Sequence, residues 1–222
     1  MMKDMHPIVT SPWEYICDPF RIADHVWYVG NTWVGSFLLD SGEGLILIDT
    51  GMAQTVYQIL RSIRLLGLDP AKLRRILLTH AHYDHAGGAE ILRRLTGAQV
   101  YLGEEDLPFI DQPEMLLADR TVCPVFQVDR TYSDSEPVKL GRFEIHALHT
   151  PGHTPGARSM FFRTTSGARE VLCGMHGGLG FATMKEEFLR NHGLPLTLRD
   201  DFYSGLKKLK DIPVDVAIGS HP

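Results

Sequence analysis

Cysteine is scarce in this chain. Three stand in 222 residues, Cys17, Cys123 and Cys173, far apart and with no CxxC pair. A disulfide scaffold and a cysteine zinc site are therefore not indicated. Three reduced, mostly buried thiols are expected instead, which fits a reducing compartment. Long apolar runs are also missing: nothing approaches the ~20 residues of a membrane helix. The opening MMKDMHPIVTSPWEY has no apolar signal core. The expectation is a cytoplasmic protein, or a periplasmic or secreted one if a signal was removed. Positive charge is not in excess either, with 22 Lys and Arg against 27 Asp and Glu, a net charge of −5. That leaves no electrostatic footprint for nucleic acid and no basic face for a membrane, and points to a small-molecule partner. Hydrophobic content of 44% and charged content of 22% are those of a globular chain. The length suits one domain over residues 1–222, or two small halves sharing a core.

What is present is a series of strand-like runs. VWYVG (26–30), SFLLD (36–40) and LILID (45–49), separated by short Gly- or Asn-containing turns, predict a β-meander. Val56, Ile59, Leu60, Ile63 and Leu66 recur at helical spacing, so a helix is expected from Thr55 to Leu66, stopped by Gly67. RRILLTH (74–80) reads as a short buried strand, Ala86 to Leu95 as a helix closed by Gly97, and QVYLG (99–103) as a strand. Residues 104–136, with several acids and prolines, read as a surface excursion. The second half partly repeats the plan. FEIHALHT (143–150), RSMFFRT (158–164) and EVLC (170–173) are expected strands, 184–191 and 200–209 helices, and DVAIG (215–219) a last buried strand. Strands then helices, twice over, predict two β layers covered by helices on both outer faces.

Polar residues gather at the ends of these strands: Asp49 in LIDTG, the run THAHYDHAGG (79–88), His149 and His153 in ALHTPGHTPG, His176 in CGMHGG and His221 in GSHP. The run from His80 to His85 is the densest. Three imidazoles and a carboxylate crowded together desolvate one another unless something binds them. His80 and His82, two apart on an extended strand end, face one side and pinch one metal. Asp84 and His85 point elsewhere, where the chain turns into a helix, and suit a second ion. His153, between Gly-Pro turns, completes the first site and His221 the second. Each ion then has three protein ligands and an open position, the arrangement of a catalytic zinc pair. His6, His25 and His192 read as ordinary surface histidines.

HAHYDH resembles the HxHxDH signature of the metallo-β-lactamase superfamily. LIDTG resembles that family's first motif, PGHTPG its third and SHP its last, so the resemblance runs from about Phe20 to the C-terminus. It implies an α+β fold, a four-layer αββα sandwich with the metals at one edge of the sheets. It gives Asp49 the role of supporting the metal loop, and makes Trp33 and Val34 either a cover for the site or local hairpin packing. His82 stands where the flavodiiron branch has Glu, which favours zinc hydrolysis over iron redox chemistry. Where many relatives place a bridging Asp, this chain has Met175. A thioether is a poor zinc ligand, so Met175 is expected to pack behind the site. Beside it, His176 is a spare ligand, a proton shuttle or a satisfied loop histidine. Asp84, His85 and His221 on the second zinc resemble the third subclass of metallo-β-lactamases. That subclass uses serines in the fourth-motif loop to hold the β-lactam carboxylate. MHGGLGF has none, which leaves the Gly177 and Gly178 amides for that task. The family usually continues past its last motif into a helix that buttresses the ligand. The chain is therefore expected to be cut short at its C-terminus, or His221 to be loosely held.

The implied chemistry is hydrolysis. Two Zn2+ ions share a water and lower its pKa to near ~7, and the hydroxide, oriented by Asp84, attacks a carbonyl. A β-lactam is the first substrate expected, with the antibiotic resistance that implies, and a thioester or lactone the second. A nuclease of this fold is disfavoured by the charge. A metal-bound scaffold without turnover is the reading from outside enzymology.

Overall fold

The computed structural model describes residues 7–117 and 122–222, so His6 lies outside the described residues. Two sheets carry the fold. The first runs in the order β1 (Phe20–Ala23), β2 (Val26–Tyr28), β3 (Phe37–Asp40), β4 (Leu45–Ile48), β5 (Leu73–Leu77), β6 (Gln99–Leu102) and β7 (Arg130–Thr131). Its first four strands form the antiparallel meander, and β4 to β7 are parallel. The second sheet runs β12 (Val216–Ala217), β11 (Arg169–Met175), β10 (Arg158–Ser166), β9 (Phe143–His149) and β8 (Val138–Leu140). The helices are α1 (Pro7–Thr10), α2 (Val56–Leu65), α3 (Tyr83–Ala86), α4 (Ala89–Thr96), α5 (Glu186–Asn191) and α6 (Leu198–Leu209).

The apolar run of β4 has a physical reason in this layering. A strand covered on both faces has no polar side to show. Leu45 and Leu47 join one core with Ile59 and Ile63 of α2 and Leu92 of α4. Ile46 and Ile48, facing the other way, join a second core with Phe143, Met160 and Phe162 of the opposite sheet. Each fully buried Ile or Leu of this kind stabilises the fold by ~1.5–3 kcal/mol. The helix periodicity read from the sequence ends where glycine ends it. Gly97 adopts φ +72° after α4, and its N–H bonds the Arg93 carbonyl.

Three expectations are corrected. Residues 104–136 are not a simple surface excursion: Ile110, Leu116, Cys123 and Phe126 pack into the core under α2 and α4, and Asp106 is fully buried. The acids Glu104 and Glu105 mark the exposed side of a short 3-10 segment whose inner side carries the buried Asp106 beside the partly buried Leu107 and Phe109. DVAIG is an edge strand of Val216–Ala217; Ala217 is exposed and only Ile218 is buried. The short strands β1, β7 and β8 were not read from the sequence, because two to four half-exposed residues carry no period to detect.

Parallel strands β4 and β5 direct their C-terminal ends to one edge, the place where open sheets build sites. Asp49 follows β4 there, and Thr79 lies just beyond the end of β5. Among the described residues, no helix is long and apolar enough to cross a membrane. Cys17, Cys123 and Cys173 form no disulfide among the described residues.

Candidate metal centre

At this edge the Asp49 carboxylate is the first organiser. It is fully buried and takes φ +56°, a left-handed backbone that Asp tolerates better than most residues. Its Oδ1 accepts the Thr79 N–H at 2.8 Å, and its Oδ2 accepts the Thr79 hydroxyl at 2.8 Å. Oδ2 also lies 2.9 Å from Nδ1 of His85, so that nitrogen carries the proton and Nε2 is left bare. With the Thr79 hydrogen spent on Asp49, the Thr79 oxygen accepts from His80 Nδ1 at 3.0 Å. His80 is thereby held with Nε2 bare as well. That atom is buried and has no hydrogen-bond partner.

The more distant imidazoles obey the same rule. His153 gives Nδ1 to the Gly180 carbonyl at 2.8 Å and turns Nε2 toward Nδ1 of His82, 2.9 Å away. His221 gives Nδ1 to the Trp33 carbonyl at 2.7 Å and turns Nε2 toward Asp84 Oδ2, 3.5 Å away. Nε2 of His85 lies 3.5 Å from that same oxygen. Backbone or carboxylate partners that fix one ring nitrogen are what present the other to a metal.

Two triads result. His80, His82 and His153 form one and Asp84, His85 and His221 the other, each with its ligand atoms within 4.8 Å of one another. All six residues proposed from the sequence are brought together in the pairing proposed. A nitrogen buried without a partner, as on His80, costs ~1–3 kcal/mol. A cation between the rings removes that cost, so the donor set fits a metal. Burial pulls the imidazoles of His80 and His82 well below the ordinary histidine range, and their imidazole neighbours add to the effect. His153 is pushed down to about 4, again by burial first. Those rings are neutral near pH 7, as a ligand must be. Burial also opposes charge on His85, but the Asp84 and Asp49 carboxylates and the Asp49 hydrogen bond outweigh it and raise its pKa.

Over the triads lies a cavity of about 290 Å3, walled by Trp33, Tyr83, Leu117, Leu179 and Ser220 in addition to the triad side chains. Trp33 therefore covers the site. Val34 does not: it is fully buried below the hairpin, where its N–H and that of Trp33 both bond the Asn31 side chain. Met175 is 1% exposed and packs between the sheets with Cys173 and Val171. His176 belongs to neither triad. Its Nδ1 accepts the Gly178 N–H and its ring meets Phe202 edge-on, while its buried Nε2 has no hydrogen-bond partner, so it is not the satisfied loop histidine that was one of the expectations. The expectation for the glycine amides is corrected, because both are committed within the protein. Gly177 N–H donates to Ser159 Oγ and Gly178 N–H to His176. His221 is gripped on one side by Trp33 and His85 while 45% of its side chain stays exposed. His25 is a turn residue at φ +64°, and His192 stacks on Phe188; neither approaches the triads.

Sequence reading gave no role to Thr79, although it opens the run that holds four of the ligands, and none to Asp106. Nothing in a lone Thr or in the acidic run EED marks either as part of the site; only the fold brings them in.

A family model for the metallo-β-lactamase superfamily matches residues 34–162. A subclass B3 metallo-β-lactamase of Bradyrhizobium japonicum, BJP-1, superposes with a TM-score of 0.85 at 30% identity, over 96% of this chain and 81% of that one. The class B3 di-zinc enzyme LRA-12, from an Alaskan soil metagenome, does so at 0.80 and 26% identity, over 95% and 81%. A curated relative, the hydroxyacylglutathione hydrolase GloC of Haemophilus influenzae, is 32% identical over 126 residues, 54% of this chain and 57% of its own length. The chain spans about half the length of curated relatives such as this one. The matched segment starts in the hairpin over the cavity and runs through the LIDTG, HAHYDH and PGHTPG loops, which carry every triad residue but His221, and this chain belongs to the metallo-β-lactamase superfamily.

Proposed function

We propose that the chain is a binuclear zinc hydrolase that opens a β-lactam or a similarly activated carbonyl. One observation carries the reading: two three-ligand groups, one of three imidazoles and one of a carboxylate with two imidazoles, lie under an open cavity. Imidazole and carboxylate without thiolate suit zinc, which takes nitrogen and oxygen ligands at ~2.0–2.2 Å. When bound, such a metal pair acidifies a shared water and polarises the carbonyl under attack.

The protein's own part is orientation and proton handling. His80, His85, His153 and His221 each have Nδ1 held by a protein oxygen, which turns Nε2 toward the metal position, and the low pKa values of His80, His82 and His153 leave those three rings no proton to lose when metal enters. Asp84 is the one carboxylate of the set. It accepts a hydrogen bond from the attacking water and holds that water toward the carbonyl carbon. Trp33 and Tyr83 wall the cavity and keep bulk water from the reacting group.

A second reading has a specific observation behind it. The Gly177 and Gly178 amides are spent inside the protein, so they do not receive the carboxylate that a β-lactam carries. A thioester or lactone needs no such receptor, and the relative GloC is a hydroxyacylglutathione hydrolase. Elemental analysis and a substrate panel test the proposal together. Two zinc ions per chain, with His153→Ala and Asp84→Ala each losing about one, and turnover abolished by a chelator, are expected. Full occupancy of both sites in Asp84→Ala would overturn the second ligand set. Zinc-loaded protein without turnover of any β-lactam, thioester or lactone would leave the scaffold reading in its place.

A further inference from the structure

Asp106 lies outside both triads, yet it is fully buried and has no cationic partner in its hydrogen bonds. Its carboxylate is satisfied by three donors. Oδ2 accepts the Ala81 N–H at 3.1 Å and the Thr154 hydroxyl at 2.8 Å, and Oδ1 accepts the Gly156 N–H at 2.6 Å. Ala81 is the residue between His80 and His82. Thr154 directly follows His153, and Gly156 ends the same loop. All three donors therefore come from the two loops that bear the His80, His82 and His153 triad, and none comes from Asp84, His85 or His221.

The packing supports a built contact. A Cβ on Gly103 would fall 2.0 Å from the Gly156 carbonyl oxygen, and one on Gly156 would fall 2.7 Å from the Asp106 carboxyl carbon. The turn carrying Asp106 is pressed onto the His153 loop, with glycine required on both sides. Burying a carboxylate raises its pKa, here to about 6 despite three hydrogen bonds. An apolar side chain would fill the space without that penalty, but it would leave three buried donors unpaired.

We propose that Asp106 is a positioning residue that locks the two loops carrying His80, His82 and His153 into one metal-ready arrangement. The division of labour is then explicit. Asp49 orders the strand-end side of the centre through Thr79 and His85, and Asp106 ties the distant His153 loop to it. The proposal rests on the reading of the two triads as ligand sets.

The test reads metal binding rather than turnover. His221→Ala leaves the first triad intact, and His153→Ala leaves the second. Zn2+ affinity is measured in each parent by competition with a chromophoric chelator, and Co2+ spectra report ligand geometry. Adding Asp106→Asn, which keeps the volume but sets an amide nitrogen against a donor, weakens Zn2+ about 10–100-fold in the His221→Ala chain and shifts its Co2+ band. In the His153→Ala chain the change stays within about twofold. Thr154→Val removes a single donor and produces a smaller loss confined to the same background, so it carries the test if Asp106→Asn does not fold. Equal losses in both backgrounds, or none in either, would overturn the role. Parents that bind no Zn2+ would overturn the ligand sets themselves, and that result is visible before Asp106 is touched.

Discussion

His85 Nδ1 lies 2.9 Å from Oδ2 of Asp49, deep behind the metal centre, with neither side chain more than 2% exposed. The pair fixes which nitrogen of His85 faces the cavity, and the same carboxylate sets His80 through Thr79. Asp49→Asn separates charge from shape, because Asn also tolerates the φ of +56° found there. An amide nitrogen then meets at least one of the donors. We expect the metal-free variant to lose ~1–3 kcal/mol in urea unfolding and zinc affinity to fall ~10–100-fold. Unchanged affinity would mean that Asp49 serves the backbone turn and not the ligands.

Two substitutions in neighbouring positions should behave oppositely. Met175→Leu conserves volume in the inter-sheet core and should cost less than ~1.5 kcal/mol with zinc binding unchanged. Gly180→Ala adds one methyl 2.9 Å from Cε1 of the His153 ring, whose Nδ1 already bonds the Gly180 carbonyl. It should displace that ring and weaken the His80–His82–His153 site by about tenfold or more. Calorimetric zinc titration of both variants checks the pair. Loss of a zinc ion in Met175→Leu would show the thioether to be a ligand.

Much of this centre was legible because its ligands are close in sequence or follow strands whose apolar runs are unmistakable. His80, His82, Asp84 and His85 share one loop, and β4 and β5 end beside the residues that serve it. Asp106 and Thr79 were not legible, since their value lies in where a carboxylate or hydroxyl arrives after folding. The segment 104–136 misled for a related reason: two exposed acids hide a third that is buried, and composition averages them. The Gly177 and Gly178 amides were misplaced, and the choice between cover and hairpin packing for Val34 was left open, because neighbours in a loop need not face the same way. Hydrogen bonds to Asn31, Ser159 and His176 decide the matter.

Acid should destabilise the metal-free protein through its buried imidazoles. His153 has its folded pKa lowered to about 4, against 6.5 for an ordinary imidazole. The unfolded chain takes the proton first, so the contribution is whole above pH ~6.5 and drains as pH falls toward ~4. His80 and His82 are lowered in the same direction. His85 and Asp106 are raised and work in the opposite sense. Comparison with His153→Gln isolates one ring. Between pH ~6.5 and ~4 the metal-free parent should lose more unfolding free energy than the variant, by at most ~1.4 kcal/mol per pH unit. Parallel curves would mean that His153 titrates normally before metal enters.

The substrate prediction turns on the loop from Met175 to Phe181. Metals held by the two triads would supply a water-derived nucleophile, and Asp84 would orient it toward a strained cyclic amide, so β-lactam turnover is expected and should vanish with a chelator. Capture of the substrate is the weak step. The loop has no serine, and its Gly177 and Gly178 amides bond Ser159 and His176 instead. Each missing hydrogen bond to a carboxylate costs ~1.5–3 kcal/mol, or about tenfold or more in binding. The penalty falls on ground state and transition state alike, so it should appear as a high KM with kcat less affected. Steady-state kinetics on a penicillin, a cephalosporin and a carbapenem, beside a thioester and a lactone of similar size, make the comparison. A low KM for the β-lactams would show that another group receives the carboxylate. Fast cleavage of the thioester or lactone with no β-lactam turnover would assign the centre to those substrates.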